Sequence, residues 1–182
     1  GTYIILGALL GDNLKVTNII PEHIEALIMK LKEMNIPLEI HSDYLIISKS
    51  NKAKSVNIKT VGYPGFPTDL QQPFTTLLTT CHGKSIVHET IYENRFQNVA
   101  YLNEMGADIT IKEDKIYIKG PTKLIGKEVK ATDLRAGACL ILAGLIAEGQ
   151  TVVTEIEHVL RGYEDIALKL SKIGAKIEIE EI

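Results

Sequence analysis

Asp69 and Asp133 are the side chains best placed to do chemistry, because each stands in the same short setting, Thr68-Asp69-Leu70 and Thr132-Asp133-Leu134. A carboxylate at a loop tip can take a proton from a hydroxyl as a general base. It can equally cap the helix that follows, a contribution of about 1 kcal/mol. Capping accounts for one such site easily and for two in register less well. The loop before Asp69, Gly62-Tyr63-Pro64-Gly65-Phe66-Pro67, is rich in proline, glycine and aromatic residues. Such a stretch makes a stiff, shaped connection of the kind that carries function. Both readings of Asp69, base and cap, stay open at this point.

Three arginines accompany these carboxylates. Arg95 and Arg161 each lie twelve residues after a glycine, Gly83 and Gly149, and Arg135 sits two residues beyond Asp133. A guanidinium grips phosphate or carboxylate through a two-pronged fork. The plain alternative is a surface ion pair, such as Arg161 with Glu164 or Asp165. For one isolated arginine the plain alternative wins. Equivalent arginines of symmetric units tend to face one shared place, and a helix start beside Asp133 and Arg135 also favours anions.

Other chemistry finds no support. His23, His41, His82, His88 and His158 show no ligand spacing, and Cys81 and Cys139 are too far apart in sequence for a CxxC pair. Neither metal site nor disulfide framework is indicated. Both cysteines fall in apolar segments that read as helical, and they are expected to be buried small hydrophobes. Neither a GxGxxG nor a GxxxxGK[ST] pattern is present, so nothing points to Rossmann or P-loop nucleotide binding. The balance of 20 Lys+Arg against 23 Asp+Glu, net −3, argues against a nucleic-acid partner. No apolar run reaches membrane-spanning length, and no signal peptide is visible. A cytoplasmic protein with reduced thiols is the expectation.

The elements that position these residues come from an internal repeat. Leu31–Ile40, Leu102–Ile111 and Leu170–Ile179 read alike: a helix end, an Asn or Gly stop at Asn35, Gly106 or Gly174, then alternating apolar and charged residues. The stop fits a left-handed C-cap and the alternation a half-buried strand. Upstream of each, an apolar helical run ends at Gly11, Gly83 or Gly149 and passes into a β-branched strand (Leu14–Ile20, Ser85–Ile91, Thr151–Ile156). Tyr44–Ser48 and Lys115–Lys119 supply a last strand, paired back on the one before. The unit is helix–strand–helix–strand–strand, over approximately residues 1–50, 51–120 and 121–182. An α/β (α+β) domain follows, with helices packed inward and sheets outward. The chain opens at Gly1, directly in an apolar run, and its first unit lacks Thr-Asp-Leu. The expectation is a truncated first unit and missing upstream sequence. With 45% hydrophobic and 24% charged residues, the composition suits a globular protein with a substantial core.

Four stretches taken together carry a family resemblance. Phe66-Pro67-Thr68-Asp69-Leu70-Gln71, Glu93-Asn94-Arg95-Phe96, Ala131-Thr132-Asp133-Leu134-Arg135-Ala136 and Arg161-Gly162-Tyr163-Glu164 resemble the UDP-N-acetylglucosamine enolpyruvyl transferases of bacterial peptidoglycan synthesis. The likeness runs over essentially all 182 residues and is to the C-terminal one of two similar domains. It implies an inside-out α/β barrel of three repeats. It also implies transfer of enolpyruvyl from phosphoenolpyruvate to the 3′-hydroxyl of UDP-N-acetylglucosamine, with release of phosphate and no cofactor. By the resemblance, Asp69 and Arg161 would be catalytic, Asp69 as base near the sugar hydroxyl. Thr68 and Ile91 would line the sugar-nucleotide site, Ile91 through its backbone. Arg135 and Arg161 would hold the phosphate and carboxylate of phosphoenolpyruvate, with Arg95 and Asp133 supporting them.

The N-terminal domain of the family, with its Lys, further Arg residues and reactive Cys loop, has no counterpart here, so the 182 residues alone are expected to be inactive. The family also lends this domain a short N-terminal segment, whose absence would leave an edge or gap in the first repeat. Two departures stand out. Leu160 replaces a frequent Asp before Arg161, and Pro73 falls early in the helix after Asp69, which shifts where that helix starts. The competing readings are the transferase that acts on shikimate 3-phosphate and a non-catalytic anion-binding paralogue.

Overall fold

The computed structural model describes residues 1–180; Glu181 and Ile182, which the third unit is expected to include, lie outside the described residues. The first unit runs α1 (Thr2–Leu10), β1 (Leu14–Thr17), a 3-10 turn at Pro21–Ile24, α2 (Glu25–Glu33), β2 (Leu38–Ile40) and β3 (Tyr44–Ile47). The second runs β4 (Ile58–Lys59), a 3-10 turn at Thr68–Leu70, α3 (Gln71–Thr79), β5 (Gly83–His88), α4 (Gln97–Glu104), β6 (Asp108–Lys112) and β7 (Lys115–Gly120). The third runs β8 (Glu128–Lys130), α5 (Leu134–Ile146), β9 (Val152–Thr154), α6 (Glu157–Gly162) and α7 (Ile166–Lys172).

The first helix of each unit goes to the centre. Helices α1, α3 and α5 touch one another. Six of the nine residues of α1, all nine of α3 and the run Ala136–Ala143 of α5 are buried. A helix that is apolar on all sides has no face for water, so it must be surrounded by other elements. Helix α3 reaches the same place with polar residues. Thr75, Thr76 and Thr79 turn their hydroxyls onto the carbonyls of Gln71 (2.9 Å), Cys139 (3.1 Å) and Thr76 (2.7 Å). A buried hydroxyl is tolerated when it is bonded in this way.

The strands form three sheets around that centre, ordered β1-β3-β2, β4-β5-β7-β6 and β8-β9. In the first two, the last strand of the unit pairs antiparallel with both other long strands, so it lies in the middle. The asparagine and glycine stops do what their types suggest. Asn35, Gly106 and Gly174 take φ of +60°, +108° and +99°, each ending the second helical segment of its unit.

Two expectations change. The strand expected at Ala175–Ile179 does not form, because among the described residues no strand lies beside it to complete a ladder. The second helix of the third unit is split into α6 and α7, with Asp165 between them in the left-handed region at φ +47°. Among the described residues, no strand beside β1 corresponds in the first unit to β4 or β8.

Cys139 lies in α5, and Cys81 lies just beyond α3 rather than within a helix; both are free and buried. Burial pushes each thiol up to about 11, which makes them poor nucleophiles near neutral pH. Among the described residues no helix is long and apolar enough to cross a membrane.

Candidate functional site

Asp69 sits at the centre of the 3-10 turn Thr68–Leu70, and α3 starts one residue later at Gln71. Pro73 is thus the third residue of α3, inside the first turn, where no helical N–H is missed. The loop is fixed from below. Phe66 is buried and meets Phe74 of α3 edge to face, with ring centres 5.0 Å apart. Above this anchor the Asp69 carboxylate is exposed and caps nothing, since the turn and α3 have no side-chain cap. Instead Arg135, from the start of α5, donates to its Oδ1 through Nε at 2.6 Å and holds Nη2 at 2.6 Å from the same oxygen.

Asp133 resolves the other way. Its Oδ1 accepts the backbone N–H groups of Arg135 (2.8 Å) and Ala136 (3.1 Å), which makes it the N-cap of α5. The two Thr-Asp-Leu motifs are thus alike in sequence and different in use: one carboxylate caps a helix, and the other is exposed and paired with arginines. Asp133 still supports the site, because it fixes the backbone of the arginine that reaches Asp69. Asp133→Ala is expected to lower unfolding free energy by about 1 kcal/mol, the usual value of a lost N-cap. Urea unfolding of the wild-type and variant chains measures it.

Arg95 joins the same cluster from the loop between β5 and α4. Its Nη1 donates to Thr68 Oγ1 at 2.8 Å and lies 3.9 Å from Asp69 Oδ1. Its guanidinium stacks on Tyr92, with Cζ 3.9 Å from the ring centre. The side chain is only 13% exposed, so this arginine is built into the wall. Ile91 lies past the end of β5, in the loop rather than in the expected strand, and its side chain is exposed. Its N–H is taken by Glu89 Oε1 at 2.9 Å, which leaves the carbonyl as its backbone contribution to any ligand.

Arg161 is not drawn into the cluster. It lies on α6, exposed, and forms no ion pair with the described residues; Glu164, a partner considered for it, pairs with Lys169 at 2.8 Å. Leu160, the residue before it, offers no charge. Helix α6 nonetheless ends beside the site. A Cβ on Gly162 would fall 2.5 Å from Leu134, the residue between Asp133 and Arg135. Thr68, Asp69, Ile91, Arg95, Asp133 and Arg135 are therefore brought together, and Arg161 is carried on the helix that ends beside them, without an ion pair among the described residues.

One residue of the cluster escapes motif reading. Glu89 is 3% exposed and accepts from Thr60 Oγ1 (2.8 Å), Thr68 Oγ1 (2.9 Å), and the N–H groups of Ile91 (2.9 Å) and Tyr92 (3.2 Å). The period of β5 offers a signal for it: Ser85 and Val87 are buried, and Glu89 continues that inward face. A carboxylate on the buried side of an alternating strand needs partners, and those partners are the site's own loops.

Comparison with known proteins places the chain in a family. The family model for EPSP synthase (3-phosphoshikimate 1-carboxyvinyltransferase) matches residues 1–180. The chain is 52% identical over 181 residues to UDP-N-acetylglucosamine 1-carboxyvinyltransferase 2 of Streptococcus mutans, covering 100% of this chain and 43% of that protein. It is 50% identical to the enzyme of the same name from Shouchella clausii, covering 42% of it. The chain thus spans less than half the length of these curated relatives. Among solved structures, the enolpyruvyl transferase NikO from Streptomyces tendae superposes with a TM-score of 0.88 at 27% identity, over 97% of this chain and 42% of that one. EPSP synthase from Acinetobacter baumannii shares the fold, with a TM-score of 0.80 at 20% identity over 99% of this chain and 46% of that one. With a family model matched along nearly its whole length and the same fold in solved enolpyruvyl transferases, the chain belongs to the EPSP synthase (3-phosphoshikimate 1-carboxyvinyltransferase) family.

Proposed function

We propose that this chain is the C-terminal half of a cytoplasmic enzyme that transfers enolpyruvyl from phosphoenolpyruvate to the 3′-hydroxyl of UDP-N-acetylglucosamine, a committed step toward peptidoglycan. The observation that carries the reading is Asp69: an exposed carboxylate on a rigid turn, caps nothing, and faces Arg135 at 2.6 Å. A base that must reach a sugar hydroxyl has to be free of structural duty, and Asp69 is free where Asp133 is not. The relatives at about 50% identity that bear the sugar-nucleotide name favour this acceptor over shikimate 3-phosphate.

In this reading Asp69 takes the hydroxyl proton as the sugar oxygen bonds to C2 of phosphoenolpyruvate, whose C3 gains a proton from an acidic group on the facing domain that takes one back in the elimination. The tetrahedral adduct then loses phosphate from C2 and a proton from C3. Arg135 and Arg161 neutralise the substrate's phosphate and carboxylate, and Arg95 holds the wall behind them. The phosphate competes with Asp69 for the Arg135 guanidinium, so drawing Arg135 onto the anion frees Asp69 Oδ1 for the proton. An N-terminal domain of the same polypeptide supplies the facing wall.

The test joins this chain to an N-terminal domain of the family and follows inorganic phosphate. Release that requires both phosphoenolpyruvate and UDP-N-acetylglucosamine is expected, with none from the 182-residue chain alone. Release with shikimate 3-phosphate in place of the sugar nucleotide overturns the acceptor, and release with neither overturns the reaction.

A further inference from the structure

We propose that Glu89, which no motif singles out, is the positioning residue of this site: a buried carboxylate that sets the direction of the Thr68 hydroxyl and so holds Arg95 beside Asp69. The inference rests on the enolpyruvyl-transfer reading for its kinetic consequence, and on geometry alone for the rest.

The carboxylate divides its work between its two oxygens. Oε1 collects the Thr60 hydroxyl and the N–H groups of Ile91 and Tyr92, at 2.8, 2.9 and 3.2 Å. These bonds shape the loop that leaves β5. Oε2 takes only the Thr68 hydroxyl, at 2.9 Å. The backbone of Glu89 is itself pinned, its N–H donating to Asp114 O at 2.9 Å. Its side chain therefore cannot retreat from the loops it serves.

A threonine hydroxyl has one proton and two lone pairs. Because Glu89 Oε2 takes that proton, the lone pairs of Thr68 Oγ1 are left for Arg95, whose Nη1 donates at 2.8 Å. The relay runs from Arg95 through Thr68 to Glu89, each donor pointing the same way. A chain polarised between a cation and an anion is stronger than the same bonds between neutral groups. Arg95 is held from two further sides, by the Tyr92 ring at 3.9 Å and by Gln72 Nε2 on its carbonyl at 3.1 Å. Tyr92 is in turn fixed through its N–H by Glu89. One buried carboxylate thus orients both the hydroxyl and the aromatic ring that seat Arg95, and Arg95 Nη1 rests 3.9 Å from Asp69 Oδ1.

Glu89→Gln separates the two duties. An amide oxygen in place of Oε1 keeps the Thr60, Ile91 and Tyr92 bonds, whereas an amide nitrogen in place of Oε2 donates to Thr68, takes away the acceptor of its hydroxyl proton and breaks the relay. The melting temperature is expected to stay within a few degrees of wild type. In the two-domain protein kcat/KM for phosphoenolpyruvate is expected to fall about tenfold or more, the loss of one charge-assisted bond. If Glu89 acts through Thr68, Glu89→Gln adds little in a Thr68→Val background, and the double-mutant cycle shows strong coupling. Additive losses, or wild-type kcat/KM in Glu89→Gln, overturn the proposal.

A structural arm stands apart from turnover. In NMR spectra of the 182-residue chain, the Arg95 guanidinium signals are expected to move and broaden in both Glu89→Gln and Thr68→Val, with the Ile91 amide unmoved in Glu89→Gln. Unchanged Arg95 signals in Glu89→Gln overturn the relay even if the reaction is confirmed. Absence of phosphate release by the wild-type two-domain protein defeats the assigned reaction instead, and the NMR result then decides the role of Glu89 by itself.

Discussion

Asp69→Asn is expected to lower kcat of the two-domain enzyme by about 10²- to 10⁴-fold, the usual worth of a placed general base. The fold should not notice. Asp69 is exposed, caps no helix, and among the described residues its carboxylate is tied only to Arg135 and Arg95. An asparagine fills the same space and keeps an oxygen toward Arg135, but it cannot accept the sugar proton. The measurement is phosphate release at saturating substrate, set beside a melting curve for the same variant. Near-normal turnover would remove Asp69 from the role of base and return the second acidic residue, Asp133, to consideration. That alternative has a clear handicap, because the Asp133 carboxylate is occupied by two backbone N–H groups.

The largest effect on stability is expected at Phe74. This side chain is fully buried at the start of α3 and carries the edge of Phe66, the residue beneath the Asp69 turn. Truncation of a buried phenylalanine costs about 3–5 kcal/mol, through lost burial and the cavity left behind. Set against a total of about 5–15 kcal/mol for a domain, Phe74→Ala should leave a marginal fold. Denaturant titration followed by circular dichroism reads it. Phe74→Leu, which keeps most of the volume, should cost less than half as much, and equal losses for the two would show that the site collapses around Ala without a cavity. Because Phe66 loses its edge-to-face partner in either case, the turn above should also loosen.

The repeat and its stops were legible because they rest on local chemistry. Asn35, Gly106 and Gly174 are needed where the backbone enters the left-handed region, and their types announce it. The inward helices were legible from apolar runs such as Ile4–Leu10. Helix α3 was harder, since its Gln and Thr residues suggest solvent; carbonyls of α5 and of α3 itself satisfy the hydroxyls of Thr75 and Thr76 in the interior. The missing strand at Ala175–Ile179 shows the opposite limit. Its alternation is as regular as that of β6, but a strand is a relation between two segments, and sequence describes one at a time.

The site divides along the same line. Thr68, Asp69, Arg95, Asp133 and Arg135 stand together as their repeated settings suggest. What the sequence could not say was which aspartate caps and which does not, because identical tripeptides form a 3-10 turn in one unit and open an α-helix in the other. Glu89 stayed out of view for a related reason. Its partners, Thr60 and Thr68, lie 29 and 21 residues before it, and no local pattern joins them.

Helix α3 has no side that faces water, and it begins two residues after the proposed base. In most enzymes a reactive loop can drift in sequence with little effect on the scaffold, and the scaffold can drift with little effect on the loop. Here the two inherit each other's constraints. A change anywhere from Gln71 to Thr79 is felt as packing and, through the rigid step of a single turn, as a displacement of the Asp69 carboxylate. Engineers seeking a more robust variant would do better to work on the outer strands, where a substitution can be neutral, than on the helix that bears the chemistry.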